Sequence, residues 1–295
     1  MKVEISNLTK MYGEFCAVKD VSFDFQSGRI SALIGRNGSG KTSTIRMMLG
    51  TLAKSSGKVL ADGKSLAQQL NNIGYLSEER GIYIKDSIIG QLVYFASLKG
   101  MSRKEARISA EKWLDKLGIL DRKNDKVETL SKGNQQKIQI IASLLHNPDI
   151  VIFDEPFSGL DPVNAKFLVD LLMELRKENK CILISSHQLH LLEDVCDDVA
   201  IISYSNLIYK GSLNNLKEEK GGKRLIIKFA NSSKKDIEEI GYLEAGDDKK
   251  YYVDLNMNRT CQDVINDLFI KNLEIETFEV KEKTLNDIFI EMEEA

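Results

Sequence analysis

The sequence predicts an α/β fold: buried strands and helices carrying a phosphate-binding loop, with a smaller α+β unit after them. Three stretches predict this. In the first, the apolar run Ile30-Ser31-Ala32-Leu33-Ile34 leads into Gly35-Arg36-Asn37-Gly38-Ser39-Gly40-Lys41-Thr42, which fits G-x-x-x-x-G-K-[ST] without a mismatch. Ile45, Met47, Met48 and Leu49 then supply the apolar positions of an amphipathic helix. Strand, glycine-rich turn and helix in that order give the pattern its meaning. In the second, Ile150-Val151-Ile152-Phe153 ends in the paired acids Asp154-Glu155. In the third, Cys181-Ile182-Leu183-Ile184-Ser185-Ser186 ends at His187.

The residue types of the loop follow from anion chemistry. Glycines let the backbone turn with positive φ, so that several N–H groups converge on one anion. The helix that begins near Lys41 and continues through Ser43 adds unpaired N–H groups and the positive end of its dipole. Lys41 is a point charge for β- and γ-phosphates, and the Thr42 hydroxyl is a ligand for Mg²⁺. Asp154, at a strand end, suits Mg²⁺ directly or through water, and Glu155 suits polarisation of an attacking water. The stretch reads as a nucleoside triphosphate site.

Composition is compatible with this. The chain has 295 residues, enough for one large domain and one small one. A net charge of −3 argues against nucleic acid as a main partner. No apolar run approaches the roughly 18 residues of a membrane span, and Met1 to Asn7 lack a signal-peptide core. Cys16, Cys181, Cys196 and Cys261 are far apart, as expected of reduced thiols in a cytosolic protein.

Along the chain, the period of two at Val3/Ile5 and at Val21/Phe23/Phe25 predicts two antiparallel strands before the loop. Tyr12 lies between them beside Gly13, and two readings are open: stacking on a purine base, or packing at a strand end. Ser55-Ser56-Gly57 reads as a turn and Asp62-Gly63 as a hairpin. Ile73 to Leu76 reads as a strand leading into Ser77-Glu78-Glu79-Arg80-Gly81. Residues 87–118 read as helical, with a capping box at Ser102/Glu105 and one apolar face through Ala106, Ala110, Trp113, Leu114 and Leu117. Ser131 is placed to cap a helix whose stripe is Ile138, Ile141, Ala142 and Leu145. Pro162 suits the first position of another helix after Asp161. Ala200 to Ile202 is the last strand signal of the large domain. His187 is open to two readings, a γ-phosphate contact or a packed loop residue; His146 and His190 receive no role.

These motifs, in this order, resemble the ATP-binding subunits of ABC transporters over roughly residues 1–217. The loop at 35–42 is similar to the first Walker motif and Ile150 to Glu155 to the second. Leu130-Ser131-Lys132-Gly133-Asn134 is similar to the LSGGQ signature and Ser158 to Asp161 to the D-loop. His187 matches the switch histidine and Tyr12 the base-stacking aromatic. The resemblance implies a phosphate-loop NTPase core with an antiparallel β-subdomain and a helical subdomain at about 87–147. It further implies ATP and Mg²⁺ as ligands, and a head-to-tail homodimer. In that dimer, Ser131 and Gly133 of one copy approach the γ-phosphate of the nucleotide held by the other, and Asn134 and Asp161 are further nucleotide-binding residues. Glu155 would be the general base and His187 a γ-phosphate contact. Glu78 stands where the family carries the Q-loop glutamine; its carboxylate would be a further Mg²⁺ ligand and a third acid beside Asp154 and Glu155.

Residues 218–295 read as a small accessory α+β domain. Lys217 to Lys223 is a charged linker, Arg224–Phe229, Tyr251–Leu255 and Leu273–Val280 are strands, and Thr284/Asp287 cap a last helix. This tail, with residues 77–81 and 131–136, resembles ATPase subunits of ABC-2-type exporters such as drug or sodium extrusion systems. The likeness implies a separate transmembrane permease, contacted through about Glu78 to Leu98, and a cytoplasmic place on the inner face of the cell membrane. The competing reading is a soluble ATP-gated switch with no transport role.

Overall fold

Two long strands, β1 (Lys2–Tyr12) and β2 (Phe15–Gln26), open the chain and pair antiparallel, with Tyr12 opposite Phe15 at the turn. The computed structural model describes residues 1–79, 81–230, 240, 243–245, 250–255, 259–271 and 273–294. Arg80, in the stretch compared with exporter ATPases, lies outside them. The chain divides into two units, Met1–Ser212 and Leu213–Ala295.

In the first unit, β3 (Arg29–Ile34) runs into the glycine-rich loop and α1 (Lys41–Met48). β4 (Ser56–Ala61) and β5 (Lys64–Ser65) form a hairpin whose turn residues, Asp62 and Gly63, both have positive φ. Then follow β6 (Ile73–Leu76), α2 (Ile88–Leu98), α3 (Arg103–Lys116), α4 (Lys132–Leu144), β7 (Ile150–Asp154), α5 (Pro162–Lys177), β8 (Cys181–Ser186), the short α6 (Leu189–Leu192), β9 (Asp198–Ser203) and β10 (Asn206–Ser212). They build one sheet in the order β5-β4-β1-β2-β10-β9-β3-β8-β7-β6. The run β9-β3-β8-β7-β6 is parallel, whereas β1, β2, β4 and β5 pair antiparallel. Every residue of β7 and β8 is buried, as expected of parallel strands covered on both faces.

Register is what assembles the site. Ile34 pairs with Ser186, and Asp154 with Ser185. The carboxyl ends of β3, β7 and β8 therefore lie side by side, and the loop, the two acids and His187 leave the sheet along one edge, where ligands of open α/β sheets bind.

The helical part has its own apolar cluster, in which Ile88, Leu92 and Ala96 of α2 pack with Ala110 and Leu114 of α3 and Ile138 and Ile141 of α4. Trp113 packs against it. Ser102 and Glu105 form the expected capping box, and Ser131 caps α4 by accepting from Asn134 N–H. Residues 87–118 are two helices, broken at Gly100, whose φ is +91°.

Two expectations for this unit change. Ser55-Ser56-Gly57 is not a turn, because Ser56 and Gly57 begin β4. Gly57 has φ +96°, and a Cβ there would come within 2.5 Å of Asn7 O, so this glycine marks a close approach of β4 to β1. Nor is Ala200 to Ile202 the last strand: β10 returns antiparallel to β9 after a turn at Tyr204-Ser205.

In the second unit, α7 (Leu213–Lys220) occupies part of the expected linker because Leu213 and Leu216 bury one face. β11 (Lys223–Phe229), β12 (Glu244–Ala245), β13 (Lys250–Leu255) and β14 (Ile275–Glu282) form an antiparallel sheet in the order β12-β13-β11-β14. α8 (Cys261–Ile270) lays Val264 and Leu268 against Leu225, Ile227 and Val253. Thr284 and Asp287 exchange hydrogen bonds at the start of α9 (Leu285–Glu294). Arg224 ties the sheet to that helix through Asp254, Asp287 and Glu291. No helix among the described residues is long and apolar enough to cross a membrane.

Candidate active site

The loop between β3 and α1 takes its shape from its glycines. Gly38 and Gly40 have φ of +82° and +110°, where a side chain is strained. A Cβ on Gly35 would come within 2.4 Å of Ile202 O and Ser39 Oγ, and one on Gly40 within 2.8 Å of Ala17 O. Arg36 supplies its carbonyl, which accepts from Ser39 N–H at 3.1 Å. Gly40 caps α1 without a side chain, so none competes for the N–H groups of the first turn. Lys41 folds back over the loop and donates to Gly35 O at 2.7 Å and Arg36 O at 3.2 Å.

The same lysine reaches the acids. Lys41 and Glu155 are each only 5% exposed, with Nζ 3.2 Å from Oε1. His187 Nδ1 lies 2.8 Å from the other oxygen, Oε2. Glu155 has φ +50°, a left-handed conformation uncommon for glutamate. Its N–H is held by Ser185, to Oγ at 2.9 Å and to O at 3.2 Å. The carboxylate is thus fixed from the backbone outward.

Asp154 is buried beside it and accepts from Ser185 Oγ at 2.5 Å. Burial pushes its carboxyl above the usual range, and neighbouring Glu155 adds to this, while the Ser185 and Thr42 hydroxyls and Lys41 oppose it. Asp154 Oδ2 and Ser39 Oγ are buried without a hydrogen-bond partner. An orphan carboxylate oxygen beside the Thr42 hydroxyl fits a hard divalent cation, and the loop of N–H groups with Lys41 fits phosphate. No group of three or more His, Cys, Asp or Glu side chains among the described residues is arranged to hold a metal ion. Glu78, the expected third acid, is exposed on the wall of the same cleft as Thr42 and Glu155. Such a site resembles Mg²⁺ sites that use few protein oxygens and complete the shell with phosphate and water.

The cleft over the loop has a volume of about 500 Å³ and is lined by Tyr12, Phe15, Ala17, Asn37, Gly38, Gly40, Lys41, Thr42, Ser43, Glu78 and Glu155. Tyr12, the last residue of β1, is 51% exposed at its mouth, and Lys10 Nζ lies 4.6 Å from the centre of its ring.

Ser131, Gly133, Asn134 and Asp161 do not line this cleft. They meet elsewhere on the first unit. Asp161 caps α5 by accepting from Asn164 N–H at 2.9 Å and from its side-chain amide at 2.7 Å. Gly133 lies so close that a Cβ would fall 2.1 Å from Asn164 Nδ2. Gln136 Nε2 donates to Pro156 O at 2.6 Å, tying the start of α4 to the segment just after Glu155.

Sequence reasoning missed Ser185, Phe15 and Gln136. Ser185 acts across a β-ladder, which only sheet order reveals. The signal at Phe15 was available, as an aromatic facing Tyr12 across a tight turn.

Residues 18–158 match the family model described as ABC transporter, and residues 211–292 match that described as ATP-binding protein DrrA1-3-like, C-terminal domain. The chain is 41% identical over 244 residues to an uncharacterized ABC transporter ATP-binding protein, MJ1023, of Methanocaldococcus jannaschii, covering 83% of this chain and 88% of that protein. It is 38% identical over 292 residues to another, YhaQ of Bacillus subtilis, covering 97% of each. A solved structure of an ATP binding subunit of an ABC transporter superposes with a TM-score of 0.68 at 28% identity, covering 74% of this chain and 93% of that one.

Proposed function

This chain belongs to the ABC transporter ATP-binding family, whose members bind and hydrolyse ATP, and we propose that two copies power a membrane exporter through a separate permease subunit. The observation that carries the dimer is the division of its motifs. The phosphate loop, Lys41 and Glu155 line the cleft, while Ser131, Gly133 and Asp161 meet on another part of the same chain. A second copy is the simplest source of the missing wall.

In the proposed reaction, Gly38, Gly40 and the start of α1 hold the β- and γ-phosphates with backbone N–H groups, and Lys41 adds a positive charge. Mg²⁺ would be held by Thr42 and Asp154 and would supply charge neutralisation for the phosphates. Glu155 takes a proton from water as the water oxygen attacks the γ-phosphorus and the bond to the β-γ bridging oxygen breaks. His187 orients the Glu155 carboxylate from 2.8 Å. Before nucleotide enters, Lys41 is engaged by Glu155, and transfer of its charge to phosphate leaves Glu155 available to water.

The export direction rests on the resemblance of the tail, and of residues 77–81 and 131–136, to ATPase subunits of ABC-2-type exporters; residues 211–292 of that tail match the DrrA1-3-like domain. The contact face for the permease is proposed around Tyr83, Ile84, Tyr94 and Leu98, which are exposed although Ile82 packs inward. Tyr83 stacks on Phe95 at 5.9 Å, and Phe95 and Leu98 line an adjoining groove of about 280 Å³ with Tyr75 and His146.

The test is the Glu155→Gln variant with Mg²⁺ and ATP. Turnover should fall at least about a hundredfold, the scale of losing an acid–base group, while the variant forms a nucleotide-dependent dimer by mass measurement. Parent turnover would remove Glu155 from the reaction, and a monomer at saturating ATP would remove the dimer.

A further inference from the structure

We infer that Phe15 is a second aromatic contact to the nucleotide base, forming a clip with Tyr12 at the mouth of the cleft. The inference rests on the reading of that cleft as the ATP site. Tyr12 and Phe15 face each other directly in the β1–β2 register, which puts both rings on one face of the hairpin. They are 51% and 66% exposed, and neither belongs to an apolar cluster of the core. Both line the same cleft as Lys41 and Thr42. Two large rings left in water at the end of a phosphate site are a surface for stacking.

The hairpin is held at a fixed offset from the phosphates. Gly40 packs so closely on Ala17 O that a Cβ would fall within 2.8 Å of it, and Phe15 is two residues from that contact and lines the same cleft as Ala17. Lys10 Nζ lies over the Tyr12 ring, 4.6 Å from its centre. The polar lining residues other than Tyr12 are those of the phosphate loop together with Glu78 and Glu155. The clip therefore grips the π-face of a base rather than reading its edge, and Phe15 should matter equally for adenine and guanine.

The experiment is calorimetric titration of the parent, Phe15→Ala and Phe15→Trp with ATP, GTP and inorganic triphosphate, each with Mg²⁺. Phe15→Ala should weaken ATP and GTP by at least about fivefold and up to about a hundredfold, the scale of losing one base–aromatic stack. Triphosphate, which has no base, should bind all three proteins within about twofold of one another, since the phosphate loop is untouched. Phe15→Trp should keep parent affinity for ATP, and its indole emission should change with ATP but not with triphosphate. Parent affinity for ATP in Phe15→Ala overturns the inference and leaves the ATP site standing. An equal loss for triphosphate also overturns it, because the ring would then be supporting the loop. A parent chain that ignores ATP and triphosphate alike overturns both readings.

Discussion

Lys41→Ala, made alone and together with Glu155→Gln, probes the centre of the site through two separate observables. Lys41 Nζ and Glu155 Oε1 are 3.2 Å apart and both side chains are almost fully buried. Removing the cation leaves the Glu155 carboxylate with His187 as its near side-chain partner. Breaking a buried pair costs about 3–5 kcal/mol. Glu155 borders an open cleft, so the lower end applies, and about 3 kcal/mol lowers Tm by about 6–12 °C for a unit of this size. Glu155→Gln on the Lys41→Ala background removes the stranded charge. The two substitutions should therefore couple, with the double variant recovering most of the lost Tm. Binding behaves differently. Each charge-assisted bond to phosphate is worth roughly 1.5–3 kcal/mol, so Lys41→Ala should weaken ATP by about ten- to a hundredfold, and the double variant should not recover it. Differential scanning calorimetry without nucleotide reads the first effect, and isothermal titration reads the second. Additive Tm changes, or ATP bound at parent affinity by either Lys41 variant, would refute the reasoning.

Two further outcomes follow from the same geometry. The raised Asp154 carboxyl means that its ionised form is disfavoured by the fold. Its contribution to stability is present at low pH and is lost as pH rises through the raised value; Asp154→Asn should flatten that stretch of the Tm–pH curve and raise nucleotide-free Tm at neutral pH, while Mg²⁺-dependent ATP affinity is lost. Gly133→Ala would put a methyl 2.1 Å from Asn164 Nδ2 and must move the start of α4; ATP binding by one chain should stay within about twofold of the parent, as calorimetry would show, while turnover falls at least about tenfold, if the signature loop serves the site of the second copy.

Much of the site was legible because its chemistry is local. The loop at 35–42 is a turn whose glycines are required by φ and by close approach at Gly35 and Gly40, and such needs are written in consecutive residues. The caps at Ser102 and Ser131, and Pro162 at the start of α5, are legible for the same reason. What was missed depends on pairing. The turn before β10 is made by Tyr204 and Ser205, both with positive φ, so no glycine announced it. Gly57 looked like a turn residue, but its freedom serves a strand crossing close over Asn7. The charged stretch before residue 223 hid a helix because two leucines, Leu213 and Leu216, suffice to bury one face. Ser185, whose hydroxyl accepts from Glu155 N–H and donates to Asp154, could be found only once β7 and β8 were neighbours.

The central claim is that this ATPase drives a separate membrane protein, and co-purification from native membranes tests it most directly. The Glu155→Gln form would be tagged, extracted gently with Mg²⁺ and ATP, and its partners identified and counted. The account predicts a polytopic membrane protein in stoichiometric amount, released when Tyr83 and Leu98 are replaced by charged residues. Recovery of the tagged chain from the cytosol alone, with ribosomes or nucleic acid, would contradict it and favour an ATP-gated switch without a transport role.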